Sequence, residues 1–322
     1  MIALGIEGTA WNLSVGVVSE DEILALESSP YIPPSGGIHP REAAQHHSEE
    51  IGKILSRIFA KVDPEEVDVV AFSQGPGLGP CLRIVATAAR TLALKLNKPL
   101  VGVNHCLAHV EVGRWLTGAK NPVTVYVSGG NTQIIARRGE RYRVFGETLD
   151  IGLGNAIDKL ARHMGLPHPG GPRIEELAKR GEKYLKLPYV VKGMDLSFSG
   201  VVTAAQRLYD SGERKEDVAY SFQETTFSMV AEVSERAMAF LEIDELLLVG
   251  GVGANSRLQE ILKIMCEDRG ATFYAPPKKY MGDNGVMIAY TGLLMFKNGV
   301  TTKVEESQVK PNFRIEEVEV TW

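Results

Sequence analysis

The sequence predicts an α/β protein of two lobes built from duplicated β-β-β-α-β-α units, and three observations carry that expectation. Short segments rich in Val, Ile and Leu come three in a row twice, over 2–27 and over 123–148. In both sets a glycine turn follows the first strand, Gly8-Thr9 in one and Gly129-Gly130-Asn131 in the other. Beyond each set, segments of helical spacing alternate with further short strands, the pattern of an α/β chain.

The first set reads as strands over 2–6, 13–18 and 23–27, closed by tight turns at Glu7-Gly8-Thr9 and Ser19-Glu20-Asp21. Residues 30–40 hold too much Pro and Gly for a helix. Ile51, Ile54, Leu55, Ile58 and Phe59 fall on one face of a helix over 41–62. After Asp63-Pro64 come a strand over 67–73, a GPGLGP turn, a helix over 82–96, a strand over 99–103 and a helix that starts at Asn104. The second set has strands over 123–127, 132–137 and 142–148. Helices over 155–164, 174–179 and 215–240 follow, then a strand over 246–249, a helix over 256–268, a strand over 272–274 and a helix over 284–296. The lobes are expected to comprise 1–118 with 283–322, and 119–282, facing each other across a cleft. An insert over 167–200 departs from the repeat. Its Gly170-Gly171-Pro172 and Leu196–Gly200 stretches read as ordered loops beside the cleft.

At 322 residues and 44% hydrophobic, the chain can bury the cores of two domains. Its net charge of −5 gives no whole-molecule attraction to nucleic acid. Two local clusters still offer phosphate contacts: Arg137, Arg138, Arg141 and Arg143, and then Lys179, Arg180, Lys183 and Lys186, followed by Lys192. Cys81, Cys106 and Cys266 show no paired spacing, so a reducing interior is expected. With no basic leader and no apolar run of bilayer length, the expected setting is the cytoplasm, with no membrane partner.

Two constellations carry chemistry. On a helix, His105 and His109 project from one face, the spacing two imidazoles need to share a metal ion. The apolar run 123–127 breaks into Ser128-Gly129-Gly130-Asn131, where missing Cβ atoms and backbone N–H groups let a phosphate approach. His46 and His47 are adjacent on a helix and cannot share a face, so they propose no second metal site.

The words GIEGTAWNLSVGVV, HHSEEI, SQGPGLGPCLR, NHCLAH, YVSGGNTQ, GNAIDK, PGGPRIEELA, KGMDLSFSG, LVGGVGANSRL and MGDNGVMIAY stand in this order along the chain. Together they resemble the Kae1/TsaD/Qri7 family in its archaeal form, within the actin/Hsp70/sugar-kinase superfamily. The resemblance covers essentially the whole chain. It implies transfer of threonylcarbamoyl from threonylcarbamoyl-AMP to N6 of adenosine 37 in tRNAs that read codons beginning with adenine, within the KEOPS assembly beside a Bud32-type kinase, Cgi121 and Pcc1. It implies one iron ion, with zinc the alternative, on His105, His109, Tyr126 and Asp283. It also implies ATP or threonylcarbamoyl-AMP held by Tyr126, Val127, Ser128, Gly129, Gly130 and Asn131, with Asp158, Gly171 and Glu175 near the ribose. Gly250, Gly251, Gly253 and Asn255 follow an apolar strand and open a helix, a placement that lets backbone pack on a purine. Glu7 stands where the superfamily usually has Asp, and is expected to act as an orienting or acid–base group.

Three rival readings differ in what they need. A zinc protease needs a glutamate after the first histidine, and Cys106 stands there. An ATPase or small-molecule kinase of the same superfamily binds magnesium through phosphates and has no use for the histidine pair. A nucleotide-gated scaffold would bind partners and turn nothing over.

Overall fold

Three antiparallel strands open the chain: β1 (Ala3–Glu7), β2 (Asn12–Val18) and β3 (Ile23–Pro30). They are followed by α1 (Pro40–Phe59), β4 (Val69–Gly75), α2 (Gly79–Leu96), β5 (Leu100–Asn104) and α3 (His105–Thr117). The structure, a computed structural model, describes residues 1–33 and 37–322, so the loop expected over 30–40 falls partly outside the described residues. β4 pairs parallel to β1 and β5 parallel to β4, giving a five-stranded sheet in the order β3-β2-β1-β4-β5. On one face Leu4, Ile6, Val15 and Phe72 meet Ile54 and Ile58 of α1 and Val85 of α2 in a buried apolar core.

The chain divides into two compact units, Met1–Val112 with Asp283–Trp322, and Gly113–Gly282. The division expected after 118 falls inside α3 instead. Gly113 already lies against the second unit's sheet, where a Cβ would sit 2.7 Å from Val249 Cγ1.

The first unit is completed by α9 (Gly285–Lys297), whose backbone lies directly on β1 and β2. Gly5 and Gly16 are register partners, and a Cβ on Gly5 would stand 2.1 Å from Ala289 N. On Gly16 it would stand 2.4 Å from Val286 N. Only glycine permits that approach, which sets where the segment ahead of α9 enters. Gly5→Ala is expected to cost about 3 kcal/mol, the upper range of overpacking because the obstacle is backbone, read as a fall in melting temperature. A variant as stable as the parent would show that α9 is free to shift.

The second unit repeats the order. β6 (Val123–Val127), β7 (Thr132–Arg138) and β8 (Arg141–Glu147) form its meander, followed by α4 (Leu153–His163), α5 (Gly170–Ala178), the short pair β9 (Val191–Lys192) and β10 (Asp195–Leu196), α6 (Ser199–Asp210), α7 (Lys215–Leu241), β11 (Glu245–Val249), α8 (Ser256–Asp268) and β12 (Thr272–Tyr274). Its sheet runs β12-β11-β6-β7-β8, the first unit's order read from the other end. Phe222, Phe227 and Val230 of α7 are buried with Ile157 of α4 and Val125 of β6 in its core.

The insert differs from expectation. Gly170-Gly171-Pro172 is the first turn of α5, where Pro sits at the third position without a lost hydrogen bond. Leu196 ends β10, and Ser199 and Gly200 begin α6, a helix absent from the sequence reading. The α6 cap comes from far away: Asp150 accepts from Phe198 N at 2.9 Å, from Ser199 N at 3.1 Å and from Ser199 Oγ. Partial burial opposes ionisation of Asp150, but the bonds from Ser199, Phe198 and Ile151 outweigh it and hold its pKa down at about 2. A carboxylate depressed below the unfolded value of about 3.9 stabilises the fold above that pH and loses its contribution as pH falls toward 2. Asp150→Asn is therefore expected to lower the melting temperature at pH 7 and to flatten its pH dependence between about 4 and 2. An unchanged acid limb in that variant would remove Asp150 from the account. Among the described residues no helix is long and apolar enough to cross a membrane.

Candidate active site

In the first unit the donors are placed by two chain segments. Asn104 ends β5 and its Oδ1 accepts from Leu107 N at 3.0 Å, capping α3 so that His105 lies in its first turn and His109 one turn on. Asp283 precedes α9. Its carbonyl accepts from Asn12 Nδ2 at 2.7 Å, Gly285 N donates to Ser14 Oγ at 3.0 Å, and Asn284 caps α9.

These segments bring three sequence-expected ligands together. Asp283 Oδ1 lies 3.1 Å from His109 Nε2 and 3.4 Å from His105 Nε2, and one ligand atom from each residue lies within 4.8 Å of the others. The imidazole rings stand edge to face, 4.8 Å between centroids. Glu7, fully buried at the end of β1, points at the far side of the cluster: its Oε2 lies 3.1 Å from His105 Nδ1. Burial opposes charge on His105, but Glu7 and Asp283 outweigh it and raise its pKa well above the ordinary imidazole range. Burial, aided by the neighbouring His105, leaves the pKa of His109 lowered despite its bond to Asp283. Asp283 is held well below the carboxylate range, its own burial outweighed by His105 and then His109. Glu7 and Asp283 thus make the field at this cluster favour positive charge. Two imidazoles and one carboxylate are the donor set of non-haem iron(II) sites, and they also suit zinc. Tyr126 is buried on β6 of the second unit, and its place in the set rests on the resemblance alone.

The second unit holds the glycine turns. β6 and β11 are adjacent and parallel, Tyr126 opposite Val249, so the Ser128–Asn131 turn and the 3-10 turn Gly251–Ala254 leave the same end of the sheet. Ligands of α/β sheets gather at the carboxyl ends of parallel strands. Val127 closes β6. Ser128 N then donates to Asn131 O at 2.8 Å and Asn131 N to Ser128 Oγ at 3.1 Å, leaving Gly129 and Gly130 exposed. The start of α4 is seated on this turn. A Cβ on Gly152 would lie 2.5 Å from Gly129 O, and one on Gly154 would lie 2.6 Å from Ser128 O. Gly250 takes φ 93°, and its Cβ would meet Val127 O at 2.2 Å; Gly253 packs under Leu248.

Several expected ribose or purine contacts are already engaged within the unit. Asn255 is the N-cap of α8: its Oδ1 accepts from Arg257 N and Leu258 N while its Nδ2 donates to Gln223 Oε1 at 2.8 Å. Glu175 accepts from Ser256 N at 3.1 Å and from Ser256 Oγ, tying α5 to the start of α8. Asp158 Oδ1 accepts from Gly170 N at 2.8 Å, while the Cα of Gly171 faces open space. The sequence reading missed Thr9, whose N–H and hydroxyl both donate to Glu7 Oε1 at 2.7 Å, and Gly152, whose signal was the second glycine of the Gly152-Leu153-Gly154 step.

A doubled sheet of this order, carrying glycine turns at strand ends, has the fold of the actin/Hsp70/sugar-kinase class of α/β proteins. Two solved structures share the fold. Full-length HypF in its phosphate- and nucleotide-bound form aligns with a TM-score of 0.62 at 13% identity, over 91% of this chain and 46% of that one. The activator of 2-hydroxyisocaproyl-CoA dehydratase from Clostridium difficile, with bound ADPNP, gives 0.56 at 11% over 93% and 97%. The model of the family described as TsaD: tRNA N6-adenosine threonylcarbamoyltransferase matches residues 22–290, and the chain belongs to that family. A tRNA N6-adenosine threonylcarbamoyltransferase of Archaeoglobus fulgidus is 74% identical over 322 residues, 100% of both chains. A probable bifunctional tRNA threonylcarbamoyladenosine biosynthesis protein of Methanosarcina acetivorans is 60% identical over 99% of this chain, which spans 59% of that longer protein. The chain is a transferase of threonylcarbamoyladenosine synthesis, with tRNA as its substrate class.

Proposed function

We propose that this transferase takes threonylcarbamoyl-AMP as donor and modifies N6 of adenosine 37 in tRNAs reading ANN codons, as the catalytic subunit of a KEOPS assembly with a Bud32-type kinase, Cgi121 and Pcc1. The observation that carries the reading is the 74% identity, over the full length of both chains, with the archaeal transferase. In the reaction the exocyclic amine attacks the carbamoyl carbon, the new C–N bond forms, the C–O bond to phosphate breaks with its electron pair leaving on AMP, and the amine loses a proton. The donor is a mixed anhydride and already activated, so the protein's work is placement and charge stabilisation.

The Ser128–Asn131 turn offers backbone N–H groups for the phosphate, and the Gly250–Ala254 turn a flat backbone surface for adenine. His105, His109 and Asp283 would hold iron or zinc, which when bound supplies a Lewis-acid contact for a substrate oxygen. No nucleophilic serine or cysteine is required. AMP release that needs both tRNA and threonylcarbamoyl-AMP distinguishes this reading from an ATPase, a protease and a scaffold; ATP turnover indifferent to tRNA would contradict it.

The tRNA contact is proposed on the segment that follows α5. Asp217 Oδ1 accepts from Glu182 N at 2.7 Å and Lys183 N at 3.0 Å, and Ser221 Oγ from Leu185 N at 2.7 Å, so this extended stretch is held against α7. Leu185 and Leu187 point inward, leaving Lys183 and Lys186 exposed. Lys183→Gln with Lys186→Gln is expected to weaken tRNA binding and to lower the slope of log affinity against log salt by about 1 to 2, with nucleotide and metal binding unchanged. Filter binding across a salt series checks it; an unchanged slope would make this segment plain solvated surface.

A further inference from the structure

Residues that are not ligands decide which nitrogen of His105 would meet an ion. Glu7 is fully buried and Thr9 nearly so, on the turn that closes β1. Glu7 Oε1 accepts two bonds of 2.7 Å, from Thr9 N and Thr9 Oγ1, which leaves Oε2 to face His105 Nδ1 at 3.1 Å. A carboxylate only accepts, so Nδ1 must carry the hydrogen. His105 Nε2 is then the nitrogen turned to Asp283 and His109. Thr9 Oγ1 also lies 3.4 Å from the same Nδ1, closing a three-residue clamp around one edge of the ring.

We propose that Glu7 and Thr9 are positioning residues of the metal site: Thr9 fixes the Glu7 carboxylate, and Glu7 fixes the tautomer and ring orientation that present His105 Nε2 to the ion. The proposal rests on the reading of His105, His109 and Asp283 as a donor set. Outer partners of ligating histidines act this way in general, and their loss weakens metal binding.

Glu7→Gln is the sharpest variant because it changes no volume. Its amide oxygen satisfies the two Thr9 donors, so its NH2 faces His105 Nδ1 and drives the ring hydrogen onto Nε2, where an ion would bind. Thr9→Val keeps shape and the backbone bond but removes the hydroxyl, whereas Thr9→Ser keeps the hydroxyl.

The test is cobalt(II) titration of the full chain against a competing chelator, followed by d–d absorption, with His109→Ala as the donor-set control and the metal-free melting temperature of every variant as the folding control. Affinity is expected to fall about 10- to 100-fold in Glu7→Gln and about tenfold in Thr9→Val, with Thr9→Ser close to the parent. Wild-type affinity in Glu7→Gln and Thr9→Val, while His109→Ala loses the ion, overturns the clamp and leaves the donor set standing. Undiminished binding in His109→Ala overturns the donor set and the clamp with it. A loss in Thr9→Ser beside full affinity in Thr9→Val would assign the effect to methyl packing and overturn the hydroxyl's part.

Discussion

His109→Ala is expected to empty the metal site while the fold survives. One donor of the proposed set is lost outright, so the fall in affinity should exceed the roughly 10–100-fold that outer-shell losses cost. The side chain is buried, and its removal leaves a cavity and strips Asp283 of a bond of 3.1 Å. Against that, a desolvated imidazole whose pKa is already lowered is taken out of the interior. The net cost should be about 1–2 kcal/mol, small beside the stability of a unit with so large a core. Elemental analysis of purified protein, with a melting curve, separates the two effects. Full metal content in a folded variant would remove His109 from the donor set.

Nucleotide affinity should respond as sharply to a single methyl group at the second unit's turns. A Cβ on Gly130 or Gly251 would meet nothing within 4 Å, and neither residue has the positive φ that a side chain resists. Gly130→Ala and Gly251→Ala should therefore melt near the parent temperature yet bind AMP or ATP at least about tenfold more weakly, because the methyl stands where backbone must touch ligand. Gly250→Ala makes the contrast. With φ 93° and a Cβ 2.2 Å from Val127 O, it is expected to lose about 3 kcal/mol of stability or more. Calorimetric titration beside melting curves gives both readings. Unchanged affinity at both open glycines would place the nucleotide elsewhere.

What the sequence made legible was local. α8 and β12 run where their hydrophobic spacing and flanking turns put them, Ser256–Asp268 and Thr272–Tyr274. The histidine pair and the Ser128–Asn131 turn were readable because spacing on one helix, or glycine after one strand, is written in consecutive residues. What stayed hidden depends on distant partners. α6 has Phe198 at its N-cap with no side-chain cap bond, and Val201, Val202 and Thr203 near its start are poor helix formers. Its cap, Asp150, lies 48 residues upstream. Glu7 and His105 are 98 residues apart, so nothing near either one announces that the carboxylate holds the ring. Asn255 has a use that the glycine cluster ahead of it does not announce. It reads as a ligand contact, and an Asn just ahead of a helix also has the chemistry of a cap, which its side chain supplies to α8.

Transfer of threonylcarbamoyl onto tRNA is reported most directly by the product nucleoside. Unmodified tRNA reading an ANN codon is incubated with the chain and threonylcarbamoyl-AMP, with and without the partner subunits, then digested to nucleosides and analysed by mass spectrometry. Threonylcarbamoyladenosine at position 37 is expected with the parent protein, and its loss with His109→Ala. Unmodified adenosine throughout with the parent, although partners, metal and donor are all supplied, would contradict it.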